Sequence, residues 1–158
     1  MKRIILTLQI VLLSVVGQSV FAQCDDNLIT EVAGNLDKYN YLKDYKVWIP
    51  KAKKNKLPTI ASYNLILNKG KKYRFLINDA EEFKGRLKFE MYAEGKGMVL
   101  TNYDGVTDTY YAGVEFNCTA TAMYTISISF SEGEEGCGVV IVGFLDPNKG
   151  KYDSFFSQ

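Results

Sequence analysis

Apolar side chains occupy every second position over much of the chain, beginning near residue 45. The clearest case is residues 124–130, where Tyr, Ile, Ile and Phe alternate with Thr125, Ser127 and Ser129. A period of two is typical of strands that bury one face. Residues 139–145 are apolar on both faces, which predicts a strand covered on both sides. Further alternating segments begin at Tyr45, Tyr63, Tyr73, Leu87 and Tyr110.

Turn-forming residues separate these segments. The turn Asn68-Lys69-Gly70 lies between strands at 62–67 and 73–77, so these two strands are expected to form a hairpin. A hairpin of the strands at 121–130 and 137–145 is one arrangement of the last two strands, and the cysteine spacing is considered for that case below. About eight strands without helices between them predict an all-β fold, an antiparallel two-sheet β-sandwich of jelly-roll type.

A single helical pattern precedes the strands. Leu28, Val32 and Leu36 share one face of residues 25–38, which predicts one short N-terminal helix packed on the sandwich. The expected organisation is a signal peptide at 1–22, a helix and linker at 23–44, a β-sandwich domain at 45–146 and a flexible tail at 147–158.

The first 22 residues have the form of a secretory signal peptide. Lys2 and Arg3 form a basic start, residues 4–16 are almost wholly apolar, and Ala22 precedes the expected cleavage site. Gly17 ends the apolar run well short of the roughly 20 residues that a transmembrane helix requires. The protein is therefore expected to be exported, as a periplasmic, outer-membrane-associated or secreted protein with no membrane span.

Composition excludes several classes of function. The chain has 158 residues and no histidine, which excludes Ser-His-Asp triads, Cys-His pairs and metal sites that need imidazole ligands. Its 19 basic and 18 acidic residues leave no charge excess of the kind that binds nucleic acid. The sequence also lacks a phosphate-binding glycine loop and a nucleophile elbow. We therefore predict that the protein is not an enzyme.

Cys24, Cys118 and Cys137 suggest one disulfide and one free thiol in an exported protein. If the strands at 121–130 and 137–145 form a hairpin, Cys118 and Cys137 lie on the order of 25 Å apart, at about 3.3 Å per residue. A disulfide requires Cα atoms within about 7 Å of each other. A bridge from Cys24 to one of the other two is therefore expected, and it would pin the N-terminal helix to the sandwich.

Aromatic residues near turns are the main candidates for ligand binding. Trp48, Tyr103, Tyr110 and Tyr111 are selected because exposed rings stack on sugars and anchor protein partners. The competing interpretation is structural, since tryptophan and tyrosine also have high strand propensity.

One loop has the donor types of a calcium site. Asn102, Asp104 and Asp108 surround Gly105, although their spacing differs from that of an EF-hand and the closing glutamate is missing. Turns closed by Asx-type hydrogen bonds explain the same residues. Calcium is the one cofactor that the sequence suggests.

Several short motifs resemble those of exported β-sandwich proteins. Segments 72–75, 87–91, 114–116 and 124–128 resemble parts of the bacterial pre-peptidase C-terminal modules. The chain is more similar to small exported single-domain proteins of Bacteroidota, through its N-terminal Cys-containing helix, Leu-Asn-Lys-Gly turn, Phe-x-Cys segment and Gly-Cys-Gly strand start. The resemblance implies a β-sandwich and supplies no catalytic residues.

Together these features predict a non-enzymatic binding or accessory protein of the bacterial envelope that recognises an envelope or cell-surface protein. The alternative is a carbohydrate-binding module that uses Trp48 and the tyrosines as platforms, with calcium as a candidate ion. No nucleic-acid partner is expected.

Overall fold

The structure, a computed structural model, describes Cys24 and residues 26–145. The predicted signal peptide at 1–22 and the predicted tail at 147–158 lie outside the described residues. No helix in the described part is long and apolar enough to cross a membrane. The elements in chain order are α1 (Asp26–Ala33), a 3-10 turn (Gly34–Leu36), β1 (Asn40–Ile49), β2 (Ala61–Leu67), β3 (Lys72–Asp79), β4 (Leu87–Ala93), β5 (Gly97–Thr101), β6 (Tyr103–Asp104), β7 (Thr109–Tyr110), β8 (Gly113–Asn117), β9 (Ala122–Phe130), a second 3-10 turn (Ser131–Gly133) and β10 (Gly136–Leu145).

Eight of the strands form two four-stranded antiparallel sheets. The first sheet has the order β1-β10-β3-β8, and the second sheet has the order β2-β9-β4-β5. Strands β6 and β7 form a small separate hairpin. The apolar faces of the two sheets pack against each other, so the predicted all-β sandwich of jelly-roll type is confirmed.

The hairpin predicted for the strands around the Asn68-Lys69-Gly70 turn is wrong. Strand β2 pairs with β9 in the second sheet, whereas β3 pairs with β10 and β8 in the first sheet. The turn carries the chain across the sandwich, and the Gly70 N–H donates a hydrogen bond to the Cys118 carbonyl oxygen at 2.8 Å in the adjacent crossing. Two crossings thus stabilise each other, which a turn motif in the sequence does not reveal.

The hairpin considered for β9 and β10 does not form, because these strands lie in opposite sheets. The Phe130 ring occupies the space beside Gly136, where an added Cβ would lie only 2.2 Å from the Phe130 Cδ1 atom. Glu132 (φ 54°) and Gly133 (φ 69°) take left-handed backbone conformations that turn the chain sharply here. The connection therefore passes around a buried aromatic ring from one sheet to the other.

The main core lies between the two sheets and contains the alternating apolar residues that the sequence pattern identified. Phe75, Phe89, Met91, Ile126 and Ile128 are among its fully buried side chains. Their polar neighbours along each strand point outward, as a period of two requires.

A second apolar cluster lies on the outer face of the first sheet, where α1 and the following turn pack. Val32, Leu36 and Tyr39 contact Val139 and Ile141 of β10. Strand β10 therefore has an apolar core on each side, which explains why it is apolar on both faces.

Strand β1 begins at Asn40, five residues before the predicted domain boundary at 45. Residues 40–44, assigned in the sequence to a linker, are therefore strand. The alternation is lost there because β1 contains a bulge between Tyr41 and Lys43, which shifts the pairing with β10 by one residue.

A disulfide joins Cys24 to Cys137, with their Cα atoms 5.5 Å apart. This is one of the two pairings that the sequence left open. It ties the chain just before α1 to the start of β10, and Cys118 remains a buried free thiol.

Candidate functional site

The outer faces of the two sheets differ in their cover. The helix and turn at 26–36 cover the first sheet, whereas no helix packs on the outer face of the second sheet among the described residues. Ser62, Asn64, Ile66 and Met123 point outward from β2 and β9 and are exposed. The candidate functional site lies on this open face.

A groove of about 600 Å³ crosses one end of the open face. Lys88 and Glu90 of β4 and Ser129 of β9 form its floor. Tyr103 and Tyr110 of the β6–β7 hairpin form one wall of the groove, the tyrosine wall. Leu57, Pro58 and Ile60, in the loop that follows β1, form the other, the apolar wall.

Tyr103 and Tyr110 form the tyrosine wall. Their ring centroids lie 4.6 Å apart with the planes tilted by 36°, because the two residues face each other across the β6–β7 hairpin. The Lys88 ammonium lies 5.5 Å from the Tyr103 ring centroid, and the Arg86 guanidinium lies 5.5 Å from that of Tyr110. Each ring therefore meets another ring and a cation.

The two cations of the groove are held in place by carboxylates. The Lys88 Nζ atom lies 2.8 Å from a Glu90 oxygen, and the Arg86 Nε atom lies 3.2 Å from an Asp79 oxygen. The hydrogen bond with Glu90 raises the pKa of Lys88, so this side chain stays charged at neutral pH. Both cations that line the groove therefore have a carboxylate partner within the protein.

Asn102 positions the tyrosine wall. It is buried, its Oδ1 atom accepts a hydrogen bond from the Phe89 N–H at 2.8 Å, and its Nδ2 atom donates to the carbonyl oxygens of Leu87 and Tyr111. These bonds fasten both ends of the β6–β7 hairpin to β4.

The side-chain oxygens of the three predicted calcium ligands, Asn102, Asp104 and Asp108, accept hydrogen bonds within the protein. The Asn102 side-chain oxygen already accepts the Phe89 N–H inside the protein. Asp104 accepts hydrogen bonds from the Val106 N–H and the Thr107 hydroxyl, and these lower the pKa of its carboxyl group. Asp108 accepts from the Tyr103 hydroxyl at 3.1 Å. Within the described part of the chain, no three His, Cys, Asp or Glu side chains gather as a metal site.

The hydrogen bond with Asp108 also affects Tyr103. It raises the pKa of the Tyr103 hydroxyl, because a nearby carboxylate favours the protonated phenol. Burial does the same at Tyr110, with Asp108 as a smaller cause. Both tyrosines are neutral hydrogen-bonding groups at physiological pH.

The apolar wall is a loop held against the β9–β10 connection. The Ala52 N–H donates to the Gly133 carbonyl oxygen at 2.7 Å, and Lys51 forms a 2.7 Å ion pair with Glu134. Beyond these anchors, Leu57 is 91% exposed and Ile60 is 56% exposed. The loop thus holds two large aliphatic side chains in solvent at the edge of the groove.

Of the four aromatic residues selected from the sequence, the structure brings Tyr103 and Tyr110 together. Trp48 is half exposed on β1, on the outer side of the first sheet opposite Cys137, and does not line the groove. Tyr111 lies beside the hairpin, where its N–H donates to the Asn102 carbonyl oxygen.

Sequence reasoning did not find Leu57, Ile60, Arg86 and Lys88 as part of a site. A signal was present for the first two, since they flank Pro58 between strands, where an exposed aliphatic residue has no core to join. Arg86 and Lys88 join the groove only through the pairing of β4 with β9.

No family model and no curated protein matches the chain. Among solved structures, the chain is similar to that of Aeromonas hydrophila PliG, a periplasmic inhibitor of g-type lysozyme. The TM-score is 0.47 and the sequence identity is 16%, over 65% of this chain and 84% of PliG.

Proposed function

We propose that the protein is a non-enzymatic, exported binding protein of the bacterial envelope, and that the groove on the open face recognises a protein partner. The observation that carries the proposal is that Leu57 and Ile60, which are exposed and aliphatic, line the same groove as Tyr103 and Tyr110. A concave site with apolar anchors, tyrosines and an arginine has the composition of the energetic centre of a protein interface.

Several side chains of the groove already have partners within the protein. Arg86 and Lys88 are held by Asp79 and Glu90, and the hairpin that carries the tyrosines is fastened by Asn102. A site that is already ordered loses less conformational entropy when a partner binds.

The roles of the carboxylates support a non-enzymatic function. Glu90 forms an ion pair with Lys88, and Asp108 accepts a hydrogen bond from the Tyr103 hydroxyl. A general acid would instead need a carboxyl group kept protonated by apolar surroundings. Neither Glu90 nor Asp108 has such surroundings, because each is bonded to a polar side chain.

Export is supported by the disulfide between Cys24 and Cys137. Disulfides form and persist in oxidising compartments, such as the periplasm and the extracellular space. We propose that the exported protein is periplasmic, outer-membrane-associated or secreted.

Carbohydrate binding is the second candidate, and the tyrosine pair is the observation that favours it. A groove of about 600 Å³ lined by two rings and several polar groups also suits a short saccharide. However, Lys88 and Arg86 already lie over these rings, and a stacked sugar would have to displace them. The aliphatic residues Leu57 and Ile60 also favour a protein partner.

The test compares Leu57→Asp with Val106→Asp in the mature protein. Leu57 and Val106 are 91% and 95% exposed, but only Leu57 lines the groove, so Val106 is a matched control. A photo-crosslinking residue at position 60 identifies the partner in an envelope extract, and the partner is then purified for affinity measurements.

We expect Leu57→Asp to weaken binding of the purified partner at least tenfold, about 1.4 kcal/mol, and Val106→Asp to leave it unchanged. Equal affinities of the two variants would contradict the proposal. Binding of a polysaccharide on a glycan array that Tyr110→Ala abolishes would instead support the second candidate.

A further inference from the structure

Strand β2 is an edge strand whose free side is unprotected. It lies at one end of the order β2-β9-β4-β5, so its backbone groups on the side away from β9 have no strand partner among the described residues. Its sequence, Ala-Ser-Tyr-Asn-Leu-Ile-Leu, contains no charged residue and no proline, and its register with β9 runs without a bulge. Such an edge is a template for pairing with another strand.

The other three edges have the features that prevent pairing. Strand β1 carries Lys43, Asp44 and Lys46 and contains a bulge, and β8 carries Glu115 in an ion pair with Lys72. Strand β5 has only five residues, and its ladder with β4 is interrupted by a shift in register. Charges, bulges and short length are the usual means of protecting a sheet edge, and β2 has none of them.

We propose that β2 pairs antiparallel with β2 of a second copy of this chain, around a two-fold axis at Asn64. This register uses all seven residues of the strand, with Asn64 opposite Asn64 of the partner subunit and Ser62 opposite Ile66 of the partner subunit. Pairing of two identical edges closes the assembly as a dimer, because the β2 edge of each copy is then occupied by the other copy.

The chemistry of the strand favours a second copy as the occupant. A self-paired strand places identical or symmetry-related residues opposite each other, so any charged residue near the axis would meet a like charge. The absence of charge between Ala61 and Leu67 removes that cost. Asn64 is exposed and its Oδ1 atom accepts from the Thr125 hydroxyl, which leaves its amide N–H groups to donate across the axis.

Ile66 gives the pairing an apolar contribution. It is 66% exposed beside the exposed Met123, directly across the β2–β9 ladder. A strand paired with the free side of β2 would cover part of the apolar patch that Ile66 and Met123 form on the outer face. Opposite residues of an antiparallel pair lie on the same face, so the open faces of both copies, with their grooves, point in the same direction.

The experiment measures the molar mass of the mature, disulfide-bonded protein by sedimentation over a range of concentrations. We expect the wild type to dimerise, and Asn64→Lys and Asn64→Asp each to raise the dimer dissociation constant at least tenfold. An equal mixture of the two variants should dimerise again, since opposite charges then meet across the axis. Ser127→Lys is the matched control, because it places the same charge on the same face but on the central strand β9.

Rescue by the mixture separates loss of pairing from loss of folding, because an unfolded variant would not be restored by its partner. A monomeric wild type, dimerisation that survives Asn64→Lys, or a mixture that stays monomeric would each overturn the proposal. Loss of the dimer in Ser127→Lys would also overturn it, since the contact would then be the open face and not the edge. Groove binding, measured on the monomeric Asn64→Lys variant, is independent of this result.

Discussion

The side chain of Asn102 completes the backbone pairing at the end of β4 by accepting the N–H of Phe89 at 2.8 Å. Its amide group also donates to the Leu87 carbonyl oxygen at 3.0 Å, so one side chain satisfies two backbone groups of the same strand. Through a further bond to Tyr111, Asn102 connects the core sandwich to the hairpin that forms the tyrosine wall. It links the stability of the fold to the shape of the groove.

We expect Asn102→Ala to lower the free energy of unfolding by about 2–4 kcal/mol, because it leaves buried donors and acceptors of Phe89 and Leu87 without partners. Urea unfolding measures the change, and Asn117→Ala on the exposed end of β8 is the control. A loss no larger than that of the control would contradict the structural role.

Calcium chloride should not raise the unfolding midpoint of the wild type, and a rise would support the metal site predicted from the sequence.

Asn102 also shows where sequence reasoning stops. Its neighbours Asp104 and Asp108 have the composition of a calcium loop, and spacing alone does not separate that from a capped hairpin. The structural role of Asn102 follows from its place beside β4, and that place depends on the position of a strand distant in sequence. A buried amide that serves the backbone has no local sequence signature.

The fold was predictable at the level of elements and layers. Alternation identified most strands, and the apolar run at 139–145 correctly indicated a strand covered on both faces. The hairpins predicted at Gly70 and considered at Gly136 do not form, because a turn motif says that the chain reverses and not whether it returns to the same sheet. The decision between the two depends on which sheet buries each apolar face.

The disulfide between Cys24 and Cys137 closes a loop of sequence separation 113. Replacing both cysteines by serine is expected to lower the free energy of unfolding by on the order of 4 kcal/mol, because the bridge restricts the unfolded chain. Thermal unfolding of the double variant and the wild type measures this. Cys118→Ala, which removes the free thiol and keeps the bridge, should lose less, and an equal loss would contradict the assignment.

Stability at alkaline pH should depend on Tyr124. Burial, with the nearby Cys118 thiol as a smaller cause, raises the pKa of Tyr124 from 10.0 to about 12. As the pH rises, Tyr124 therefore ionises in the unfolded chain before it ionises in the folded protein. Its contribution to the free energy of unfolding is fully present below pH 10 and is lost as the pH rises toward 12. The loss should be roughly 2–3 kcal/mol at most.

Urea unfolding at several pH values, with tyrosinate absorbance recorded in parallel, tests this. Tyr124→Phe should lose less stability over that pH interval than the wild type. Tyr111→Phe, which alters a half-exposed ring, is the control and should behave like the wild type. Identical pH dependence in all three proteins would contradict the role of Tyr124.

Gly143 of β10 and Gly34 of the first 3-10 turn lie where the turn packs on the first sheet, but only Gly143 is closely packed. A Cβ at Gly143 would lie 2.6 Å from Leu36 Cδ2 and 3.0 Å from Tyr39 Cβ, whereas one at Gly34 would meet no atom within 4 Å. Gly143→Ala should therefore destabilise the protein by about 1–3 kcal/mol through overpacking. Gly34→Ala should stabilise it by roughly 0.5–1 kcal/mol, because alanine favours the helical backbone at that position. Chemical unfolding measures the free energy of unfolding of both variants. If both values change in the same direction, the turn does not pack on β10 as described.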